Sequence, residues 1–132
     1  MKLKGIQPSQ LYISTQKLSN VMQNFPSKLT SIKPIPIKKL DDQIIFVDGH
    51  TRAYAAFLHG FPEIPVYWED EELDWEAYEI CVEWCKEEGI HTVQDLKNRV
   101  ISHQEYEKLW YERCAKMHKE LKARRKLENR KA

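Results

Sequence analysis

The sequence predicts an α+β domain in which a small mixed sheet is followed by packed helices. Residues 44–47 form a short apolar, β-branched run that is typical of a buried strand. Residues 53–58 are rich in helix formers, and Gly60 follows them as a C-terminal stop signal. This pattern predicts a helix shortly after that strand. The second half shows apolar residues at three- and four-residue spacing, which predicts amphipathic helices.

The first 31 residues show one extended and one helical signal. Residues 3–6 predict a short strand that Pro8 ends. Ser9 or Ser14 is a candidate N-cap for a helix that runs to about Asn24.

The strand before the central turn carries two prolines. Because proline cannot donate to a central ladder, Pro34 and Pro36 restrict residues 32–37 to an edge or irregular strand. Asp41 and Asp42 then predict a turn that pairs this segment with residues 44–47 as a hairpin. A further strand is predicted at residues 64–68, after the helix that Gly60 ends.

Three capping signals follow in the second half. Asp74 predicts the start of a helix to about Glu88, and Thr92 with Asp95 predicts a short helix to about Arg99. Ser102 with Glu105 matches a capping box for a long final helix. The predicted core stripe of that helix comprises Tyr106, Leu109, Trp110, Cys114, Met117 and Leu121. We therefore divide the chain into a core at residues 1–70 and a helical extension at 71–132 that packs on it.

Composition narrows the class of protein. At 132 residues the chain is long enough for one domain with a real core. It has no run of 18 apolar residues and no apolar signal region behind Met1, which predicts a cytoplasmic protein with no membrane partner. Three cysteines, an odd number within helical patterns, agree with a reducing compartment.

The cysteines allow two interpretations. Cys81 and Cys85 are four residues apart on one helix face, where they could ligate a metal with Cys114 or His118. The helical stripe explains them as small buried hydrophobic residues, and we favour that interpretation, with no metal site.

Charge is unevenly distributed although the net charge is only +1. Residues 63–88 carry eleven acidic residues against Lys86, whereas residues 113–132 carry nine basic residues against two acidic ones. This asymmetry indicates either intramolecular pairing or a basic tail with an acidic partner. The tail could follow a nucleic-acid backbone, although no base-reading helix, aromatic platform or zinc signature accompanies it. For the four tryptophans we favour a place in the core over a stacking surface for bases.

The turn between the predicted strand and helix, Asp48-Gly49-His50-Thr51-Arg52, is the main candidate site. A helix that opens after a glycine directs unpaired N–H groups and the positive end of its dipole at whatever lies in front. An anion is favoured there, and Arg52 adds a fork of donors that fits a phosphate.

This motif, with Ile35-Pro36-Ile37 before it and Ile64-Pro65-Val66 after the helix, resembles the ParB/sulfiredoxin-like domain over about residues 1–68. In that family the turn reads Gly-Glu-Arg-Arg in partition proteins, Gly-Cys-His-Arg in sulfiredoxins and Asp-Gly-His-His-Arg in free-serine kinases. Sulfiredoxins place their catalytic cysteine where this chain has His50, so the resemblance does not extend to their thiol chemistry.

The resemblance implies a nucleotide-binding site. Gly49 and Arg52 match the phosphate-binding residues of the family, while Asp48, His50 and Thr51 follow the serine-kinase pattern. The implied ligand is ATP, ADP or CTP with magnesium, or another phosphorylated small molecule, with Asp48 and His50 as candidate catalytic groups. Each side chain has a structural alternative: Asp48 as a helix cap, His50 as a surface residue, and Thr51 as a partner of its own helical turn.

Three classes of function remain open on sequence alone. The first is a small-molecule phosphotransferase, and the second is a non-catalytic DNA-associated or partner-binding module related to partition proteins. The third is an interaction scaffold that uses the acidic helix or the basic tail. Phosphate or nucleotide binding is the function that we favour, with catalysis undecided and the oligomeric state unspecified.

Overall fold

The computed structural model describes residues 1–131 and confirms the α+β class. The elements in chain order are β1 (Ile13–Ser14), α1 (Thr15–Met22), β2 (Ile35–Leu40), β3 (Gln43–Phe46), α2 (His50–Leu58), β4 (Val66–Trp68), α3 (Trp75–Glu87), β5 (Val100–Ile101), α4 (His103–Tyr106) and α5 (Glu112–Lys131). A π-helical turn, Glu107–Tyr111, joins α4 to α5. Single 3-10 turns lie at Leu3–Gly5, Leu29–Ser31 and Val93–Leu96.

The main sheet has the strand order β3-β2-β4, with β2 in the centre. The prediction of an edge strand for this segment is therefore wrong. Pro36 is tolerated because its carbonyl still accepts a hydrogen bond from the Val47 N–H, at 3.1 Å. The Val47 carbonyl accepts from the Tyr78 hydroxyl at 3.1 Å, so a side chain of α3 supplies a donor where proline has none.

The hairpin prediction is confirmed. β2 and β3 are antiparallel, with Ile37 opposite Phe46 and Leu40 opposite Gln43, and Asp41 turns the chain at φ 54°. β4 joins the other side of β2 in parallel, with Ile35 opposite Val66, and is shorter than the predicted strand.

Residues 3–6 do not form the predicted strand. Leu3–Gly5 is a 3-10 turn, and the neighbouring residues make isolated bridges, Lys2 to Glu63 and Gln7 to Ile45. The Gln7 backbone N–H donates to Ile44 O, and the Gln7 carbonyl accepts from the Phe46 N–H. The segment therefore pairs with β3 at this one residue instead of forming a strand along it. Ser14 is the N-cap of α1 rather than Ser9, because the Ser14 hydroxyl accepts a hydrogen bond from Lys17 N.

Gly60 ends α2 as predicted, at φ 82°. The Phe61 N–H donates to Ala56 O and the Gly60 N–H donates to Phe57 O, which is the Schellman arrangement of a helix C-terminus. The chain then leads into β4.

A second, two-stranded sheet joins the beginning of the chain to its second half. β1 and β5 are parallel, with Ile13 opposite Val100. The capping box of Thr92 and Asp95 is confirmed, but the turn it opens ends at Leu96 and the chain becomes extended at β5, so the predicted helix to Arg99 is wrong. One hydrophobic cluster contains Leu11 and Ile13 together with Leu96 and residues of the last helix.

The last helix is confirmed, with Ser102 Oγ accepting from Glu105 N at 3.2 Å. Tyr106, Trp110, Met117 and Leu121 are buried as predicted, but Leu109 is 44% exposed. The π-helical turn contains Leu109 and changes the angular register, so an unbroken 3.6-residue period misplaces this side chain.

The tryptophans divide between core and surface. Trp110 is buried and lies edge-on to the half-buried Trp84, with ring centroids 6.2 Å apart. Trp68 is 57% exposed because β4 is at the sheet edge, so the core prediction is wrong for this residue.

Part of the charge asymmetry is paired within the molecule, whereas the acidic partner for the basic tail stays a prediction. Arg125 bridges Asp74 at 2.8 Å and Glu76 at 3.1 Å, and Arg124 pairs with Glu76. These contacts fasten α5 to the start of α3.

Within residues 1–131, no helix combines the length and the apolar character needed to cross a membrane.

Candidate functional site

The turn from β3 to α2 depends on a glycine. Gly49 has φ +75°, a left-handed conformation in which L side chains are strained. A Cβ atom here would lie 2.9 Å from Ile35 Cγ2, inside van der Waals contact with the central strand. Backbone conformation and close packing therefore both require glycine at the point where α2 begins.

In the part of the chain that the structure describes, no side chain caps the N-terminus of α2. The first intrahelical bond runs from Ala53 N to Gly49 O at 2.9 Å, so the N–H groups of residues 50–52 precede the helical ladder. Asp48 is exposed and does not cap the helix, so the capping interpretation for this residue is wrong. Three first-turn amides and the positive helix end are thus left for another acceptor.

His50 is buried rather than exposed, with 3% of its surface accessible. Its Nε2 atom accepts a hydrogen bond from Ser9 N at 2.9 Å, which assigns the ring proton to Nδ1. Ser9 Oγ donates in turn to Phe46 O at 2.7 Å. Burial lowers the pKa of His50 from 6.5 to about 4, opposed only in part by the Asp48 charge, so the ring is neutral at pH 7.

Arg52 supports the fold at the same turn. Its Nη1 donates to the carbonyls of Lys33 and Pro34, at 2.9 and 3.0 Å, which ties the segment before β2 to the first turn of α2. A guanidinium has five N–H donors, so its other nitrogens remain for a second partner. Thr51 is half-buried in the same turn.

A cavity of about 290 Å³ lies beside this turn. Val47 and His50 form one wall, with Ser9 and Gln10 next to them. The opposite wall comes from α3 and the last helix and consists of Asp74, Ala77, Tyr78, Cys81, Trp110, Cys114 and His118. The cavity is thus lined both by residues of the segment 1–70 and by residues of the C-terminal helices.

The sequence patterns predict only structural roles for Ser9, Tyr78 and Trp110, which the fold brings to this cavity. Ser9 lies more than forty positions before His50 in an irregular segment, and its contact with the ring depends on tertiary structure. The signals that were available, an N-cap candidate and two apolar helix faces, are satisfied by local structure and do not indicate a shared wall.

The cysteines match the hydrophobic interpretation in part. Cys81 and Cys85 are buried in the core, and burial raises the pKa of Cys85 to about 12. Cys114 is half-buried and lines the cavity with Cys81. Among residues 1–131, no three His, Cys, Asp or Glu side chains are grouped so that they could bind a metal ion.

Comparisons of the chain with protein-family models, with curated proteins and with solved structures found no match. Its functional assignment therefore depends on the geometry of the turn and on the sequence motif.

Proposed function

We propose that this chain is a phosphate-binding protein of the ParB/sulfiredoxin-like kind, which takes a nucleotide or another phosphorylated small molecule at the N-terminus of α2. The observation that carries the proposal is the uncapped first turn of α2 after Gly49. Its amides at residues 50–52 provide converging donors at the positive end of the helix dipole, the arrangement that favours a phosphate oxygen.

Arg52 supports the same proposal. Its two bonds to Lys33 O and Pro34 O fix the guanidinium close to the helix start, so little side-chain freedom is lost when an anion binds. Thr51 adds a hydroxyl donor in the same turn. Together these groups neutralise charge and orient the phosphate.

Asp48 gives the site an acidic neighbour. An exposed carboxylate beside a phosphate is unfavourable unless a cation lies between them. Mg²⁺ is usually held by one or two carboxylates together with phosphate oxygens, so Asp48 fits the expected ATP, ADP or CTP with magnesium. The metal would neutralise charge on the phosphates.

The two candidate catalytic groups differ. His50 is neutral and accepts the Ser9 N–H, so we assign it to positioning the turn, with only Nδ1–H left to donate. Asp48 is exposed and is the remaining candidate base if the protein is a phosphotransferase. Binding without transfer would instead correspond to a partner-binding module.

Calorimetric titration of ATP, ADP and CTP with magnesium tests the proposal. We expect saturable binding by wild type and at least tenfold weaker binding by Arg52→Ala. Arg130→Ala, an exposed arginine at the far end of α5, is the matched control and should bind like wild type. Loss of binding in both variants, or no binding by wild type, would contradict the proposal.

A second arm separates transfer from binding. Any nucleotide that binds is mixed with free serine, and phosphoserine is measured by mass spectrometry. Phosphoserine that disappears in Asp48→Asn would support the phosphotransferase. Nucleotide binding with no product would support the alternative module.

A further inference from the structure

Cys81 and Cys114 come from different helices and meet at one wall of the cavity beside α2. Cys81 is on α3 and is 8% exposed, while Cys114 is on α5 and is half-buried. Cys81 and Cys114 line this cavity together, one from each of two helices that pack against each other. Both thiols are free, and the cavity gives small molecules a route to them.

The surroundings make the two thiols unequal. Hydrogen bonding from the neighbouring Cys81 thiol and the charge of Arg113 lower the pKa of Cys114, although burial acts in the opposite direction. The pKa of Cys81 is raised by the same hydrogen bond, by burial and by the neighbouring cysteines. Cys114 is therefore the thiol that ionises first, and the thiolate is the nucleophilic form of cysteine.

Arg113 precedes Cys114 on the last helix and is held by two contacts. Its guanidinium lies 4.1 Å from the Trp84 ring centroid, and its Nη1 is 3.7 Å from a Glu88 carboxylate oxygen. These contacts hold a positive charge on α5 next to Cys114. A cation next to a cysteine stabilises the thiolate and is typical of reactive thiols.

We propose that Cys114 and Cys81 form a redox-active pair, in which Cys114 reacts with a small hydroperoxide in the cavity and Cys81 resolves the product to a disulfide. Neither the phosphate turn nor any of its residues takes part in this chemistry. The inference is thus independent of the proposed function.

The reaction has two steps. The Cys114 thiolate attacks one oxygen of hydrogen peroxide, the O–O bond breaks, and hydroxide leaves, which takes up a proton to become water. The product is a sulfenic acid at Cys114. The Cys81 sulfur then attacks the Cys114 sulfur, the S–O bond breaks, and a second water leaves as Cys81 loses its proton. Two thiols are oxidised and one peroxide is reduced to two waters.

Cys85 provides an internal comparison. It is fully buried on α3, four residues from Cys81, and burial raises its pKa to about 12. It is absent from the cavity wall that contains the other two cysteines. Its thiol should therefore react slowly while the protein is folded.

The test uses the folded protein treated with hydrogen peroxide, followed by thiol counting and peptide mapping. Wild type and Cys85→Ser should each lose two thiols, yield a peptide linked through Cys81 and Cys114, and recover both thiols with dithiothreitol. Cys81→Ser should stop at a sulfenic acid on Cys114, which dimedone traps. Cys114→Ser should lose thiols at least tenfold more slowly than wild type.

Three results would overturn the inference. The first is a disulfide that contains Cys85, and the second is three intact thiols in wild type after treatment. The third is equal rates of thiol loss in wild type and Cys114→Ser, with circular dichroism showing that both are folded. Serine is close to cysteine in size, so these variants should keep the packing of the two helices.

Discussion

At the scale of single residues, position 49 imposes two requirements that only glycine meets. Its φ of +75° is strained for any residue with a Cβ, and that Cβ would press on Ile35 at 2.9 Å. Gly60 has a similar φ of +82° but open space around it. Comparing substitutions at the two glycines therefore separates the cost of backbone strain from the cost of overpacking.

Gly49→Ala should lower the free energy of unfolding by about 2–4 kcal/mol, because left-handed strain and overpacking add. Gly60→Ala should cost about 1–2 kcal/mol from the backbone alone. Urea unfolding followed by circular dichroism measures both. Equal losses in the two variants would show that Ile35 does not restrict the turn.

His50 makes stability depend on pH. The unfolded chain binds a proton at this ring near pH 6.5, whereas the folded chain does so only near pH 4. The stabilisation is therefore complete above pH 6.5 and is lost as the pH falls through about 4, by roughly 3 kcal/mol in total. His50→Gln should flatten this part of the profile, as measured by urea unfolding from pH 7 to 4. An unchanged slope would contradict the buried neutral ring.

At the scale of elements, the start of α3 depends on one carboxylate with two partners. Asp74 Oδ1 accepts from Ala77 N at 3.3 Å as an N-cap, and the same side chain bridges Arg125 of α5. The Arg125 hydrogen bond and charge lower the pKa of Asp74. Asparagine at position 74 can keep the N-cap hydrogen bond but not the ion pair with Arg125, whereas alanine keeps neither contact.

Asp74→Ala should lower the free energy of unfolding by about 1 kcal/mol through loss of the cap. Asp74→Asn should lose less, and its difference from wild type should shrink as salt is raised, because the lost contact is an exposed ion pair. Thermal unfolding at low and high salt measures both effects. A larger loss for asparagine than for alanine would contradict the capping role.

At the scale of the whole molecule, the two halves of the chain share one core. Ile13 pairs with Val100, and the main hydrophobic cluster joins Leu11 of the first half to Leu96 and Trp110 of the second. The predicted division at residue 70 therefore passes through this cluster, which each half alone would leave exposed to water.

A chain cut after residue 70 should not unfold cooperatively. It would lack β5 and the helices that cover Leu11 and Ile13, and so would expose residues that are fully buried in the whole chain. Circular dichroism during urea titration, with the full chain as control, measures this. A sharp transition in the shorter chain would instead show an independent domain.

The part of this fold that sequence predicts is local. Asp74, Ser102 and Gly60 begin or end helices through contacts with residues a few positions away, and local patterns found all three. Pro36 predicts an edge strand, but its tolerance in a central strand involves Tyr78, 42 positions along the chain. The helical period predicts a buried Leu109, but a π-helical turn changes that period. The motif predicts the turn at Gly49, but the burial of His50 depends on Ser9.

The central claim is that the first turn of α2 binds phosphate, and amide chemical shifts test it most directly. Inorganic phosphate and then ATP with magnesium are titrated into ¹⁵N-labelled protein. The account predicts saturable shifts centred on the amides of His50, Thr51 and Arg52, and their loss in Arg52→Ala. Shifts confined to the basic end of α5, or none at any residue, would contradict it.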